Sequence, residues 1–492
     1  MNYLLALDAG TTSNRAIIFS QDGELIAQHQ ILLTQHYPND GWVEHAGEEI
    51  LAGLIDSAHQ AMAQANLKAD QIAAVGLTNQ RETTLVWDRA TGQPIYPAIV
   101  WQDRRTARWC EQARAQGHEA QVQAKTGLLL DPYFSATKVA WILDHVPGAR
   151  ARAAAGELAF GTVDSFVVWH LTQGRRHIIE ATNAARTLLF NLDEQSWDPE
   201  LLSLFNVPAA VLPQVVDSAG DLAEIDASIW GAALPLTGIA GDQHAALIGQ
   251  AGIQPGMLKS TYGTGCFMIA NTGEQRCHSN QRLLSTLAYR IGGQPTYALE
   301  GAIFNVGTAI QWLRDNLKLF SDAAETQAMA EAAKTDDSVY LVPAFTGLGA
   351  PWWDAHARGL LCGVTRDTGP NEMVRAALEA AAFQTADLTQ AMAADGQRVQ
   401  RIRVDGGMVV NDWFCQALAD ITGAEIDRPR VTETTALGAA LLAGLGAGLF
   451  DSLPHACESW SLERRFTRAM DPDVCQKKQQ GWLTAVGRAR SD

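Results

Sequence analysis

Residues 4–19 read Leu-Leu-Ala-Leu-Asp-Ala-Gly-Thr-Thr-Ser-Asn-Arg-Ala-Ile-Ile-Phe. Two apolar runs flank a polar turn carrying the Asp8 carboxylate, Gly10, the hydroxyls of Thr11, Thr12 and Ser13, and the Arg15 guanidinium. Backbone N–H groups and hydroxyls beside a carboxylate suit a phosphate and the metal that accompanies it. The turn is not a Walker loop, because no Gly-Lys-Ser/Thr follows and a strand rather than a helix comes next. An ordinary polar hairpin has the same composition, so these residues alone leave both readings open.

A second constellation is Asn79-Gln80-Arg81-Glu82-Thr83-Thr84, between apolar runs at 72–77 and 84–87. Neighbouring residues of a regular strand point to opposite faces, so Arg81 and Glu82 reach one ligand only if the backbone turns there. A guanidinium and a carboxylate on one polyol donate to one hydroxyl and accept from the next. The plain alternative is a surface ion pair, which contributes little. Trp101 and Tyr133 offer flat faces to the C–H side of a polyol, with a hydroxyl on Tyr133; as ordinary core aromatics they would look the same. Asp242 follows the apolar run 235–240 and precedes Gln243-His244-Ala245-Ala246-Leu247. A carboxylate there suits a general base for phosphoryl transfer, and equally a helix N-cap.

These groups must be positioned by a chain of 492 residues, long enough for two to four domains. A formal net charge of −17 argues against nucleic acid as a partner. It also requires any phosphate site to bring its own local donors. Seven cysteines, an odd number with no C-x-x-C pair, fit buried thiols in a reducing cytoplasm rather than disulfides or zinc. Asp8 interrupts any leader, and the apolar stretch 436–450 is too short and glycine-rich to span a bilayer. The expectation is a soluble cytoplasmic protein without integral membrane association.

The first element order is two successive hairpins with a third extended run at 30–33, then a helix over 47–66 and a buried strand at 72–77. Strands, helix, strand is how a ribonuclease-H-like module begins, whereas a doubly wound sheet alternates from the outset. A strand, hydroxyl-and-glycine turn, strand unit recurs over 257–269 around Gly263-Thr264-Gly265. It predicts a divergent repeat of the N-terminal hairpin, with a domain boundary near 245–255. Further strands are expected at 297–301 and 401–405, and helices from about 305 and over 411–422. A helix from 433 opens with a threonine cap and a run of small residues. Such a run admits a flat ligand or marks tight helix packing.

Taken jointly, these motifs resemble the FGGY family of carbohydrate kinases. Those that carry the resemblance are Leu7 to Arg15, Asn79 to Thr83, Ala240-Gly241-Asp242-Gln243 and Ser260 to Met268. The segments 133–144 and 359–379 resemble the two family signatures, and similarity runs from Leu4 to about Phe450. The resemblance implies an α/β fold of two ribonuclease-H-like (actin-like ATPase) domains flanking a deep cleft, divided here as 1–248 and 249–492. It implies transfer of phosphate from ATP, with Mg²⁺, to a polyol. Arg81-Glu82 with Trp101 and Phe267 points to glycerol within the family; another polyol or a ketose, such as erythritol or xylulose, is the alternative.

Position by position, Asp8 would hold Mg²⁺ through water, and Thr11, Thr12, Ser13 and Arg15 would meet the terminal phosphates. Arg81, Glu82, Tyr133, Asp242 and Gln243 would bind the acceptor hydroxyls between Trp101 and Phe267, with Asp242 taking the proton. Thr264, Gly265, Gly307, Gln311, Gly407 and Asn411 would line the nucleotide pocket. A homo-oligomer, dimer or tetramer, is also implied. Ala9 stands where such kinases usually have Gln. Residues 229–235 lack the Lys or Arg with which some bacterial members hold fructose 1,6-bisphosphate, so that control is expected to be absent or weak.

Overall fold

The computed structural model describes residues 2–334, 338–354 and 356–491. The chain opens with β1 (Tyr3–Ala9), β2 (Ser13–Ser20) and β3 (Leu25–Leu32), an antiparallel meander. The last strand of the expected hairpins and the extended run at 30–33 are therefore one strand, because alternation of exposed and covered residues continues through Gln28 and His29. Helix α1 (Gly47–Gln64) buries Ile50, Leu54, Ala58, Ala61 and Met62, at helical spacing, on this sheet. Strand β4 (Ile72–Asn79) then runs parallel to β1 with Asp8 opposite Thr78 and Ala9 opposite Asn79.

The first half continues through the short helix α2 (Ala181–Ala184), β5 (Ala219–Ile225), β6 (Leu234–Gly241) and helix α3 (Asp242–Gly249). Strand β6 is parallel to β4, with Gly241 opposite Asn79. Strands β1, β4 and β6 thus end at one level. The turn after Ala9, the segment after Asn79 and Asp242 after Gly241 all leave the same edge, where open α/β sheets collect their ligands.

The second half repeats the pattern with β7 (Leu258–Tyr262), β8 (Cys266–Gly273), β9 (Leu284–Ile291) and β10 (Gln294–Ile303) as an antiparallel set. Helices α4 (Gly307–Asp315) and α5 (Pro370–Ala394) follow. Strand β11 (Arg401–Asp405) is parallel to β7, helix α6 (Asp412–Thr422) follows it, and β12 (Glu425–Pro429) is parallel to β11. Helix α7 (Thr434–Gly446) and β13 (Leu462–Phe466) complete the frame. A single thirteen-stranded sheet runs β13-β12-β11-β7-β8-β10-β9-β5-β6-β4-β1-β2-β3, its halves meeting where Ala219 of β5 pairs with Ile291 of β9.

Helix α7 crosses back to lie on the first half, its alanines packing with Leu4, Ala6, Ile17, Phe19 and Ala74. Its approach is close enough to need missing side chains. A Cβ on Gly76 would lie 2.1 Å from Ala439 O, and one on Gly438 would lie 1.8 Å from Ala245 O of α3. The small residues at 433–440 therefore serve backbone packing. The expected threonine cap is replaced: the residue before the helix is Glu433, and the Thr434 hydroxyl turns to Asp405 at the end of β11.

Candidate active site

Arg81 and Glu82 are not a surface pair. The strand ends at Asn79, the chain turns, and both side chains are 2% exposed with Arg81 Nε 3.8 Å from Glu82 Oε1. The turn is fixed from below, since Asn79 exchanges side-chain hydrogen bonds with Asn183 of α2 at 2.9 and 3.1 Å. Gly241 lets Arg81 lie against β6, because a Cβ there would sit 2.6 Å from Arg81 Cγ.

Asp242 begins α3 and keeps 28% of its side chain exposed, with Oδ1 3.3 Å from Arg81 Nε. It does not serve as the helix cap; Gly241 holds that position, and Asp242 Oδ1 accepts from the adjacent Gln243 N–H at 2.7 Å. Burial pushes its carboxyl up to about 6, Arg81 pulls it down and Glu82 pushes it up. A carboxylate ionised near neutral pH yet basic enough to take a proton is the condition for a general base.

The aromatic wall forms across the same spot. Trp101 stands edge-on to Tyr133 at 5.7 Å and to Phe267 at 6.0 Å between centroids, and the Arg81 guanidinium lies 5.8 Å from the Phe267 ring centre. Arg81 Nη2 donates to Tyr133 Oη at 3.3 Å. Trp101, Tyr133, Phe267, Thr264 and Gly265 all line one cleft of about 1330 Å³. The wall is tied to the first turn as well, since Trp101 Nε1 donates to Thr11 Oγ1 at 2.8 Å.

In that turn Gly10 N–H donates to Ser13 O at 3.0 Å, Thr12 is exposed and Ser13 is buried at the start of β2. Asp8 accepts from Arg15 Nε at 3.0 Å, and Arg15 Nη1 reaches Glu433 Oε2 at 2.7 Å. Asp8 raises the Arg15 pKa further by its charge. Arg15 therefore bridges an acid of each half.

On the second half, Gly263-Thr264-Gly265 is the β7–β8 turn, and Gly307 begins α4 directly on it, its N–H 3.0 Å from Gly263 O. Gly406, at φ +92°, passes so near Tyr262 that a Cβ would lie 2.4 Å from its carbonyl oxygen. Gly407 beside it faces open space. Gln311 is exposed one turn into α4. Asn411 caps α6, accepting from Phe414 N–H at 2.9 Å, and donates to Thr326 at 3.2 Å. Gln243 is nearly buried and accepts from the Lys259 ammonium of β7.

Models of the FGGY family of carbohydrate kinases match twice, the N-terminal domain over residues 3–249 and the C-terminal domain over 258–447. The chain is 60% identical over 489 residues to the glycerol kinase of Alcanivorax borkumensis, covering 99% of this chain and 98% of that one. It is 57% identical over 491 residues to glycerol kinase 1 of Pseudomonas aeruginosa, covering 100% and 99%. Its structure superposes on the crystal structure of Plasmodium falciparum glycerol kinase with ADP at TM-score 0.92 and 33% identity, covering 99% and 98%. This chain belongs to the FGGY family of carbohydrate kinases.

Several groups packed around Arg81 and Asp242 in this FGGY-family chain carry little local signal in the sequence. Glu300 of β10 accepts from Arg81 Nη2 at 3.1 Å and from Arg186 Nη2 at 2.9 Å, and Arg186 Nε donates to Glu82 Oε1 at 2.7 Å. Burial alone would raise the Glu300 carboxyl, but Arg186 and Arg81 outweigh it and hold it down to about 2. Lys259 sits fully buried between Gln243 and Thr261, with burial lowering its ammonium to about 8 against the pull of Asp405 and Asp242. Thr182 accepts from Gly241 N–H at 3.0 Å, which fixes the backbone just before Asp242. Glu300 alone of these stands out faintly, as a charge between Ala298-Leu299 and Gly301-Ala302-Ile303.

Proposed function

We propose that this FGGY kinase phosphorylates glycerol with ATP, giving sn-glycerol 3-phosphate and ADP, with Asp242 as general base. The observation that carries the reading is the partly exposed Asp242 carboxylate, 3.3 Å from an Arg81 guanidinium that also reaches the Tyr133 hydroxyl and the Phe267 ring. Relatives named glycerol kinase at 57% and 60% identity over nearly whole chains support the same acceptor.

In this reading Arg81, Glu82, Tyr133 and Gln243 hold the hydroxyls, while Trp101 and Phe267 cover the C–H faces. Asp242 takes the proton as the acceptor oxygen bonds to the γ-phosphorus, and the bond to the bridging oxygen breaks to release ADP. Thr11, Thr12, Ser13 and Arg15 meet the terminal phosphates from the acceptor lobe (1–248). Thr264, Gly265, Gly307, Gln311, Gly407 and Asn411 receive the nucleotide from the other lobe (249–492). Among the described residues no group of three or more His, Cys, Asp or Glu forms a metal cage. Asp8, whose Oδ2 accepts from Arg15, would hold Mg²⁺ through water, and the ion would neutralise phosphate charge. Among the described residues no helix is long and apolar enough to cross a membrane; the reading includes a cytoplasmic dimer or tetramer, which light scattering of the purified protein tests.

The deciding experiment is ADP release with Mg-ATP across glycerol, dihydroxyacetone, erythritol and xylulose. Glycerol is expected to give the highest kcat/KM. A chain inert toward glycerol, or fastest with xylulose, would refute the assignment.

A further inference from the structure

The charges behind the acceptor wall form a closed ring rather than a pair. Arg81 and Glu82 come from the segment after β4, Arg186 from just beyond α2, and Glu300 from β10 of the second half. Each of the four side chains is at most 2% exposed. Glu300 spends both oxygens: Oε2 accepts from Arg81 Nη1, and Oε1 accepts from Arg81 Nη2 at 3.1 Å and Arg186 Nη2 at 2.9 Å. Arg186 closes the ring on Glu82, and its guanidinium carbon lies 5.6 and 5.2 Å from the Tyr133 and Phe134 ring centres. Its Nη1 is buried without a hydrogen-bond partner among the described residues, so the guanidinium is placed by the ring and the aromatics rather than by saturation of its donors.

The consequence for Arg81 is geometric. Glu300 occupies the terminal fork, leaving Nε toward Asp242 at 3.3 Å. A guanidinium prefers two parallel bonds to one carboxylate. With the fork released, the next acid is the partly exposed Asp242, 3.3 Å from Arg81 Nε against 3.8 Å for the buried Glu82, and a bidentate Arg81–Asp242 pair would occupy the groups that must meet the substrate. We propose that Glu300, held by Arg186, is a positioning residue of the acceptor site: it keeps the Arg81 fork off Asp242 so that both stay available to one polyol. This rests on the glycerol kinase reading. It assigns to the second half a direct hold on the acceptor site of the first.

The test compares the native chain with Glu300→Gln and with Glu300→Gln/Arg186→Gln, which removes one buried charge of each sign. Glutamine keeps the shape of Glu300 but not the charge that competes for the fork. For Glu300→Gln the glycerol KM should rise tenfold or more while the ATP KM stays within twofold. In the double variant the thermal midpoint should recover toward native, because no buried cation is left in excess, while the glycerol KM stays raised. If the single variant does not fold, the double variant decides on the same KM criterion. A glycerol KM within twofold of native in either folded variant, or a parallel rise of both KM values, overturns the proposal while leaving the function intact. A native chain without activity on glycerol overturns the function and this inference with it.

Discussion

The strand ends of β1, β4 and β6 and those of β7 and β11 present the same kind of edge, yet the two are furnished by opposite means. On the proposed acceptor side the strand ends carry charged and aromatic side chains, each fixed by another side chain: Arg81 by Glu300, Glu82 by Arg186, Trp101 by Thr11. On the proposed nucleotide side they present backbone. Gly263 and Gly407 are exposed, Gly307 and Gly406 half-buried and Gly265 buried at the turn, and three of these glycines would clash with a neighbouring carbonyl oxygen if given a Cβ (Gly265 at 2.6 Å, Gly307 and Gly406 at 2.4 Å). A small neutral triol offers only hydroxyls and C–H faces, so reading it takes converging donors, acceptors and rings. A triphosphate is recognised largely by close N–H groups, for which the absence of side chains is the useful property.

The difference predicts where each side breaks, and the largest effect falls on Asp242. Asp242→Asn removes the proposed proton acceptor with little change of shape, so kcat should fall about 1000-fold. ADP affinity, measured by titration calorimetry, should stay within about threefold. Near-native turnover would remove the general base from the mechanism; lost ADP binding would show that the two sides are not separable.

How much of this was legible in the sequence follows the same division. The turn at Asp8–Arg15, its echo at 263–265 and the strand ends at Asn79 and Gly241 stand in local patterns of apolar runs and glycine. Their side-chain supports do not. Glu300 lies 219 residues from Arg81, and Arg186 lies 104 from Glu82, so nothing local links either pair. Thr434 looks like a helix cap, and only the tertiary approach of Asp405 diverts its hydroxyl. The small residues of α7 admitted two readings until the packing of Gly438 on Ala245 O chose between them.

On the other side, Gly307→Ala puts a methyl 2.4 Å from Gly263 O, a backbone atom that cannot rotate away. Overpacking of this kind costs about 1–3 kcal/mol, here borne by the contact between α4 and the 263–265 turn. The ATP KM should rise about tenfold or more with the glycerol KM within about twofold. The reverse pattern, glycerol affected and ATP not, would invert the proposed division of the cleft.

A third effect needs no mutation. Burial raises Asp242 to about 6, and only its ionised form accepts a proton, so activity is full above that value and lost below it. The pH profile of kcat/KM for glycerol should bend near 6 and stand about tenfold below its plateau at pH 5. A profile flat down to pH 5 would mean that the Arg81 charge dominates and holds the carboxyl lower.

The smallest effect sharpens the acceptor side. Phe267 comes from β8 of the second half, is only partly buried, and stands edge-on to Trp101 at 6.0 Å with Arg81 5.8 Å from its centre. Phe267→Ala removes a ring face and a cation–π contact worth about 0.5–1 kcal/mol, so the glycerol KM should rise about two- to fivefold. The space opened lies where a longer polyol would extend, and kcat/KM for erythritol relative to glycerol should increase. Should the glycerol KM rise with that ratio unchanged, the ring holds the triol without limiting its length, and the size filter must be sought in Trp101, which also fixes Thr11 of the first turn.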